Sequence, residues 1–264
     1  MVSYKIISIG LGVQSTTLYL MSSIGEIERA DYAVFADTGK EFSPTYETLK
    51  WLENWQKENN GIEIIVRRKK NLYNDLMNGS SNRFASIPAY TLNKDKTIGM
   101  LRRQCTSEYK IQEINKVILD LYGLKKGQRR LLTDVCLGIT TDEAHRMRDS
   151  KEKWKINKYP LIDLRINRND CISWLIRKEY PVPEKSACVF CPYQSDFKWK
   201  MMKKKYPEDF KSAVEVDKSI RNSIKKGVKN PIFLHKTAKP LDEVDFSENQ
   251  LDLFANECEG ICNT

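Results

Sequence analysis

Short apolar runs alternate with segments of helical spacing through the first half of the chain. Lys5–Ile9 reads as a strand, and Ser15–Ser22, opened by Gly10-Leu11-Gly12, reads as a helix. Tyr32–Ala36 is a second apolar run. Tyr46, Leu49, Leu52 and Trp55 recur at helical spacing after Pro44, and Glu63–Val66 is rich in β-branched residues. From Ser107, the positions Ile111, Ile114, Ile118 and Leu121 mark an amphipathic helix ending near Gly123, and Asp134–Gly138 has the look of another buried strand. Asn167–Lys178 is helical with Trp174 inward, and Pro181-Val182-Pro183 interrupts the chain before Cys188. Phe210, Ala213, Val214, Ile220 and Ile224 outline a late helix. This alternation predicts an α/β fold: a mostly parallel, doubly wound sheet with helices on both faces, plus a small C-terminal helical and cysteine-rich region. Residues 68–104 carry little periodicity and include Gly79-Ser80-Ser81-Asn82 and Pro88, so a loop or lid is expected there. The expected organisation is a nucleotide-binding domain over 1–166 and a helical, cysteine-rich region over 167–264 packed on it.

Composition narrows the partners. No stretch reaches the roughly 18 apolar residues of a membrane helix, and the start lacks a cleavable signal, so a soluble cytoplasmic protein with no membrane partner is expected. A net charge of +9 favours polyanions, either nucleotides or nucleic acid. Runs such as Arg67-Arg68-Lys69-Lys70 and Lys203-Lys204-Lys205 are also what solvated faces look like. Seven cysteines suit metal or thiol chemistry better than a disulfide framework. Cys188 and Cys191, separated by two residues, can grip one metal or one face of a cluster, and spacing alone leaves zinc and iron–sulfur level. Cys105 lies near a helix start beside Arg102 and Arg103, a setting that favours thiolate. Cys136 and Cys171 read as buried small hydrophobes.

The segment from Ser8 to Thr17 follows a strand and opens a helix, as phosphate loops do. Glycines permit a sharp turn and a close ligand approach, free amides and the helix dipole attract phosphate, and Ser15, Thr16 and Thr17 add hydroxyls. The Gly-Lys-Ser/Thr ending of a Walker loop is absent. Gly10-x-Gly12-x-x-Ser15 lacks the third glycine of a dinucleotide fingerprint, although Asp37 ends the second strand where a ribose-binding acid would sit.

Phe35-Ala36-Asp37-Thr38-Gly39-Lys40-Glu41-Phe42 resembles the second-strand motif of the phosphoadenosine-phosphosulfate (PAPS) reductase family, one group of ATP pyrophosphatases of the adenine nucleotide alpha-hydrolase type. Gly12, Ser15 and Thr16 match that family's Ser-Gly-Gly-x-Asp-Ser loop, while Gly10, Leu11 and Gln14 replace its first serine, first glycine and aspartate. The segment from Gly138 to Arg146 is similar to the family's Gly-x-Arg-x-x-Glu/Gln-Ser-x-x-Arg stretch. Iron–sulfur members carry a Cys-Cys pair and a later Cys-x-x-Cys. Here Cys105 and Cys188-Val189-Phe190-Cys191 fall into those places, Lys110 matches the family lysine, and Thr106 stands where the second cysteine would be.

The resemblance implies a 4Fe-4S cluster on Cys105, Cys188, Cys191 and a tail cysteine, Cys258 or Cys262. It also implies ATP with Mg²⁺ on Ser8, Gly10, Gly12, Val13, Gln14, Ser15, Thr16, Asp37, Thr38, Gly138 and Glu143. Asp37 and Glu143 are the expected ribose or Mg²⁺ groups, and Lys110, Arg146 and Cys262 the expected catalytic residues. The expected activity is adenylation of a nucleic-acid or related substrate for sulfur insertion, as in DNA phosphorothioation, with a cysteine desulfurase as sulfur donor. Glu257-Cys258-Glu259-Gly260 is also close to the tail of a sulfonucleotide reductase, in which the cysteine attacks sulfur. A nucleotide sensor with structural zinc is a third alternative.

Overall fold

A computed structural model describes residues 3–78, 87–124, 128, 131–222 and 228–246. Its centre is a five-stranded, all-parallel sheet of β1 (Lys5–Ser8), β2 (Tyr32–Ala36), β3 (Glu63–Arg67), β6 (Thr133–Leu137) and β7 (Lys155–Lys158), in the order β3-β2-β1-β6-β7. Ile7 pairs with Ala33 on one side and Cys136 on the other. The chain runs β1 to β3 outward in one direction, then returns to lay β6 against the other edge of β1. The strand order therefore reverses between β1 and β6, and a crevice opens at their carboxyl ends.

Both faces of the sheet are covered, so its inner strands read as nearly continuous apolar runs. On one face Ile7, Phe35 and Cys136 pack against α1 (Val13–Ser23), α2 (Ser43–Glu58) and α6 (Arg168–Arg177), with Leu18, Leu52 and Trp174 among the contacts. Helix α1 is buried along its whole length, which is why its sequence lacks a polar face. On the other face Ile6, Val34 and Val135 meet Ile114, Val117 and Ile118 of α4 (Gln112–Leu121).

A second apolar cluster lies beyond the sheet. It joins α3 (Leu72–Asn78), α7 (Asp196–Lys205) and α8 (Pro207–Ile220) with a small antiparallel sheet of β4 (Tyr90–Leu92), β5 (Ile98–Met100) and β8 (Ile232–Phe233). A short helix, α5 (Pro160–Asp163), follows β7. The region expected to be a loop or lid thus contributes α3, β4 and β5. Phe42, Leu72 and Tyr109 share one cluster with Trp199 and Phe210, and α6 packs on the main sheet. Among the described residues no helix is long and apolar enough to cross a membrane.

Asp217 of α8 fastens this second cluster. Fully buried, it accepts from the backbone N–H of Leu234 (2.8 Å) and Leu241 (3.1 Å) and pairs with Arg221. Asp217→Ala strands both amides and the guanidinium. It should lower unfolding free energy by about 3 kcal/mol or more in a urea titration, and a loss under about 1 kcal/mol would contradict this role.

Candidate active site

The crevice between β1 and β6 is lined by the first loop, by the segment after β6, by the start of α6 and by two cysteine-bearing stretches. In the loop the left-handed residue is Leu11 (φ 61°), whereas Gly12 has an ordinary extended backbone (φ −94°). Leu11 therefore occupies the conformation usually given to glycine, at a cost of about 1 kcal/mol, and its fully buried side chain offsets that cost. Ser15 braces the turn: its Oγ accepts from Gly10 N (3.1 Å) and donates to Gly12 O (3.3 Å). Gly138 lets β6 approach closely, because a Cβ there would lie 2.7 Å from the Ser15 backbone.

Gln14 is the hub of the polar wall. Its Nε2 donates to Glu143 Oε2 (3.2 Å), and its Oε1 accepts from Arg168 Nη1 (3.0 Å). Glu143 Oε1 pairs with Arg146 Nη1 at 2.6 Å. Arg146 is buried, and its Nε has no hydrogen-bond partner among the described residues. Glu143 and Arg146 come from a 3₁₀ turn, Thr141–Arg146, rather than from a regular helix.

Cys105, Lys110, Cys188 and Cys191 line the same crevice. Residues Thr106–Ile111 form a π-helical turn ahead of α4. Its wider turn presents Lys110 to the crevice while α4 keeps Ile114, Val117 and Ile118 on the sheet. The Cys188 loop is tied antiparallel to residues 40–42 by Val189 N to Lys40 O (3.1 Å) and Phe42 N to Ala187 O (2.9 Å). That pairing puts Cys188 Sγ beside Thr38 Oγ1 (3.1 Å) and Glu41 Oε1 (3.7 Å), and Glu41 in turn pairs with Lys110 (3.3 Å). Burial of the Cys188 sulfur, with Glu41 beside it, holds the thiol well above its ordinary pKa. Burial also pushes Cys136 up to about 11 and Cys171 up to about 12, as inert core thiols.

Twelve expected residues share this crevice: Gly10, Gly12, Val13, Gln14, Ser15, Cys105, Lys110, Gly138, Glu143, Arg146, Cys188 and Cys191. Four do not line it. Ser8 is buried at the end of β1, and Thr16 is buried inside α1. Asp37 is occupied by Gly39 N (2.8 Å), Tyr46 Oη (2.9 Å) and Arg68 Nε (3.1 Å), and so braces its own turn. Thr38 touches Cys188 from behind. Thr17 spends its hydroxyl on Val13 O (2.9 Å). Cys258, Cys262 and the Gly79–Asn82 loop lie outside the described residues. Arg168, Lys185, Ser186 and Tyr193 line the crevice without having been singled out by sequence. None belongs to a local motif, and Arg168 reaches Gln14 from 154 residues away.

The donors bear on the expected cofactors. Among the described residues no three His, Cys, Asp or Glu side chains are grouped to hold one metal ion. A cluster spreads its ligand sulfurs farther apart than a single ion does, and three thiols lining one crevice suit it in kind. Protein-held Mg²⁺ is less well served: it is usually bound through one or two carboxylates, and both oxygens of Glu143, the one carboxylate in the described lining, are engaged. Neither a protein-family model nor a curated protein matches this chain.

Lys198 of α7 secures the cysteine loop, donating to Lys185 O (2.8 Å) with its ammonium 4.0 Å from the Phe42 ring centroid. Burial lowers its pKa from the ordinary 10.5 to about 8. The folded state therefore favours the neutral amine, the unfolded chain stays protonated, and stability rises with pH between those two values. Relative to Lys198→Met, the natural protein should gain up to about 3 kcal/mol from pH 7.5 to pH 10.5 in paired denaturation curves. A constant difference would contradict the burial argument.

Proposed function

We propose that this chain is an ATP pyrophosphatase that adenylates an oxygen of a nucleic-acid or related substrate in preparation for sulfur insertion. The observation that carries the reading is one crevice lined by the Gly10–Ser15 loop, by Lys110 and Arg146, and by Cys105, Cys188 and Cys191. The amides at the start of α1 and its dipole favour phosphate at the loop. The substrate oxygen attacks the α-phosphorus, a new P–O bond forms, and the bond to the β-phosphate oxygen breaks to release pyrophosphate. Lys110 and Arg146 offset the negative charge that grows on the phosphates. The terminal sulfur of a protein persulfide then displaces AMP, which leaves with the activated oxygen, and a second thiol attacks the resulting disulfide to free the thiolated product and leave a protein disulfide. Cys105, Cys188 and Cys191 would hold a cluster, which when bound would supply sulfur or electron chemistry beside the adenylylated oxygen. A cysteine desulfurase is the fitting source of persulfide sulfur, and the +9 charge suits a polyanionic acceptor.

The test is pyrophosphate release from ATP by anaerobically purified protein, alone and with DNA or RNA. Release that rises with one acceptor is expected. No release under any of these conditions would contradict the proposal.

A further inference from the structure

Five cationic side chains line the crevice, from Arg103, Lys110, Arg146, Arg168 and Lys185, whereas Glu143 is the one carboxylate in its described lining. That carboxylate is spent on Arg146 and Gln14. Gln14 stands where the loop it resembles carries an aspartate, and its amide oxygen is turned to Arg168. Arg168 is fixed in turn from behind. Its backbone N–H donates to Asp142 Oδ1 (3.1 Å), and Asn167 and Asp170 close a reciprocal cap at the start of α6. Thr141 N donates to Ile166 O (3.0 Å), which holds the segment bearing Glu143 and Arg146 against the same helix start.

We infer that Arg168, braced by Gln14, grips the terminal phosphates of the nucleotide together with Arg146 and takes the place of a loop-held magnesium ion. The inference rests on the proposed nucleotide site and concerns how that site recognises its ligand. A guanidinium offers five N–H donors in a planar fork, and Gln14 takes one. The remaining donors suit two phosphate oxygens, and Arg146, which lines the same crevice, supplies a second guanidinium. A protein-held magnesium ion is usually bound through one or two carboxylates, and the one carboxylate in the described lining, Glu143, is engaged by Gln14 and Arg146.

Calorimetric titration of the full chain with ATP, in Mg²⁺ and in EDTA, tests this. The dissociation constant should change less than about threefold on chelation, and Arg168→Ala should weaken binding by about tenfold or more in both buffers. Gln14→Asp should bind in Mg²⁺ and lose about tenfold in EDTA, since an unpaired acid then faces the phosphates. Arg168→Lys keeps the charge without the fork and should recover part of the loss, which separates recognition from folding defects. A tenfold loss on chelation in the natural protein, unchanged affinity in Arg168→Ala, or a Gln14→Asp protein indifferent to EDTA overturns the inference while leaving the ATP site standing. Absence of ATP binding in both buffers overturns the site and the inference together.

Discussion

Arg146→Ala should slow ATP-dependent pyrophosphate release by roughly a hundredfold to a thousandfold, the usual cost of removing one positioned donor from developing charge. Arg146 is buried at the polar wall, its Nη1 is 2.6 Å from Glu143, and its Nε is unpartnered. Its removal takes a fixed positive charge away and leaves the Glu143 carboxylate facing the phosphates. The loss should therefore fall on kcat as well as on kcat/KM. Arg146→Lys restores charge but not the planar geometry, and an intermediate rate is expected. Unfolding curves on each variant separate chemistry from stability. A rate within threefold of the natural protein would remove Arg146 from the reaction.

Gly138→Ala is expected to damage the site from beneath. The added methyl would stand 2.7 Å from Ser15 Cα and N and 3.0 Å from the Gln14 carbonyl carbon. Those are backbone atoms of the first turn of α1, so nothing can swing aside. Either β6 or the Gly10–Ser15 loop must shift, at about 1–3 kcal/mol of stability. Displacing the loop amides should also weaken ATP binding by about tenfold or more. Gly12 is the useful contrast: a methyl there meets only Ser186, at 3.7 Å, and the backbone is ordinary. Gly12→Ala should therefore fold with stability within about 0.5 kcal/mol of the natural protein. Equal damage at both positions would mean that close packing of β6 on the loop is not what Gly138 provides.

The main sheet was legible because its inner strands are buried on both faces, and Lys5–Ser8, Tyr32–Ala36 and Thr133–Leu137 are correspondingly apolar. β7, Lys-Ile-Asn-Lys, gave no such signal because it is an edge strand with solvent on its polar positions. Strands β4, β5 and β8 are two or three residues long, below the length at which period-two alternation can be read. Helix α7 was obscured by its lysines, although Trp199 and Met202 are fully buried on one side. At the site, contiguous stretches such as Gly10–Ser15 and Gly138–Arg146 were readable as motifs. What sequence could not convey was pairing across the fold. Nothing local in Asn167-Arg168-Asn169 indicates contact with Gln14, and nothing near Asp37 reveals that Tyr46 and Arg68 already occupy it.

Cys105, Cys188 and Cys191 line the same crevice as the Gly10–Ser15 loop, so a nucleotide bound at that loop should shield them from alkylation. In metal-free protein, the rates at which Cys105 and Cys191 react with iodoacetamide can be followed by peptide mass spectrometry with and without saturating ATP. Several-fold protection of both cysteines by ATP is expected, reversed in Arg146→Ala at the same nucleotide concentration. Identical rates with and without bound ATP would place the nucleotide away from the cysteines and contradict the account.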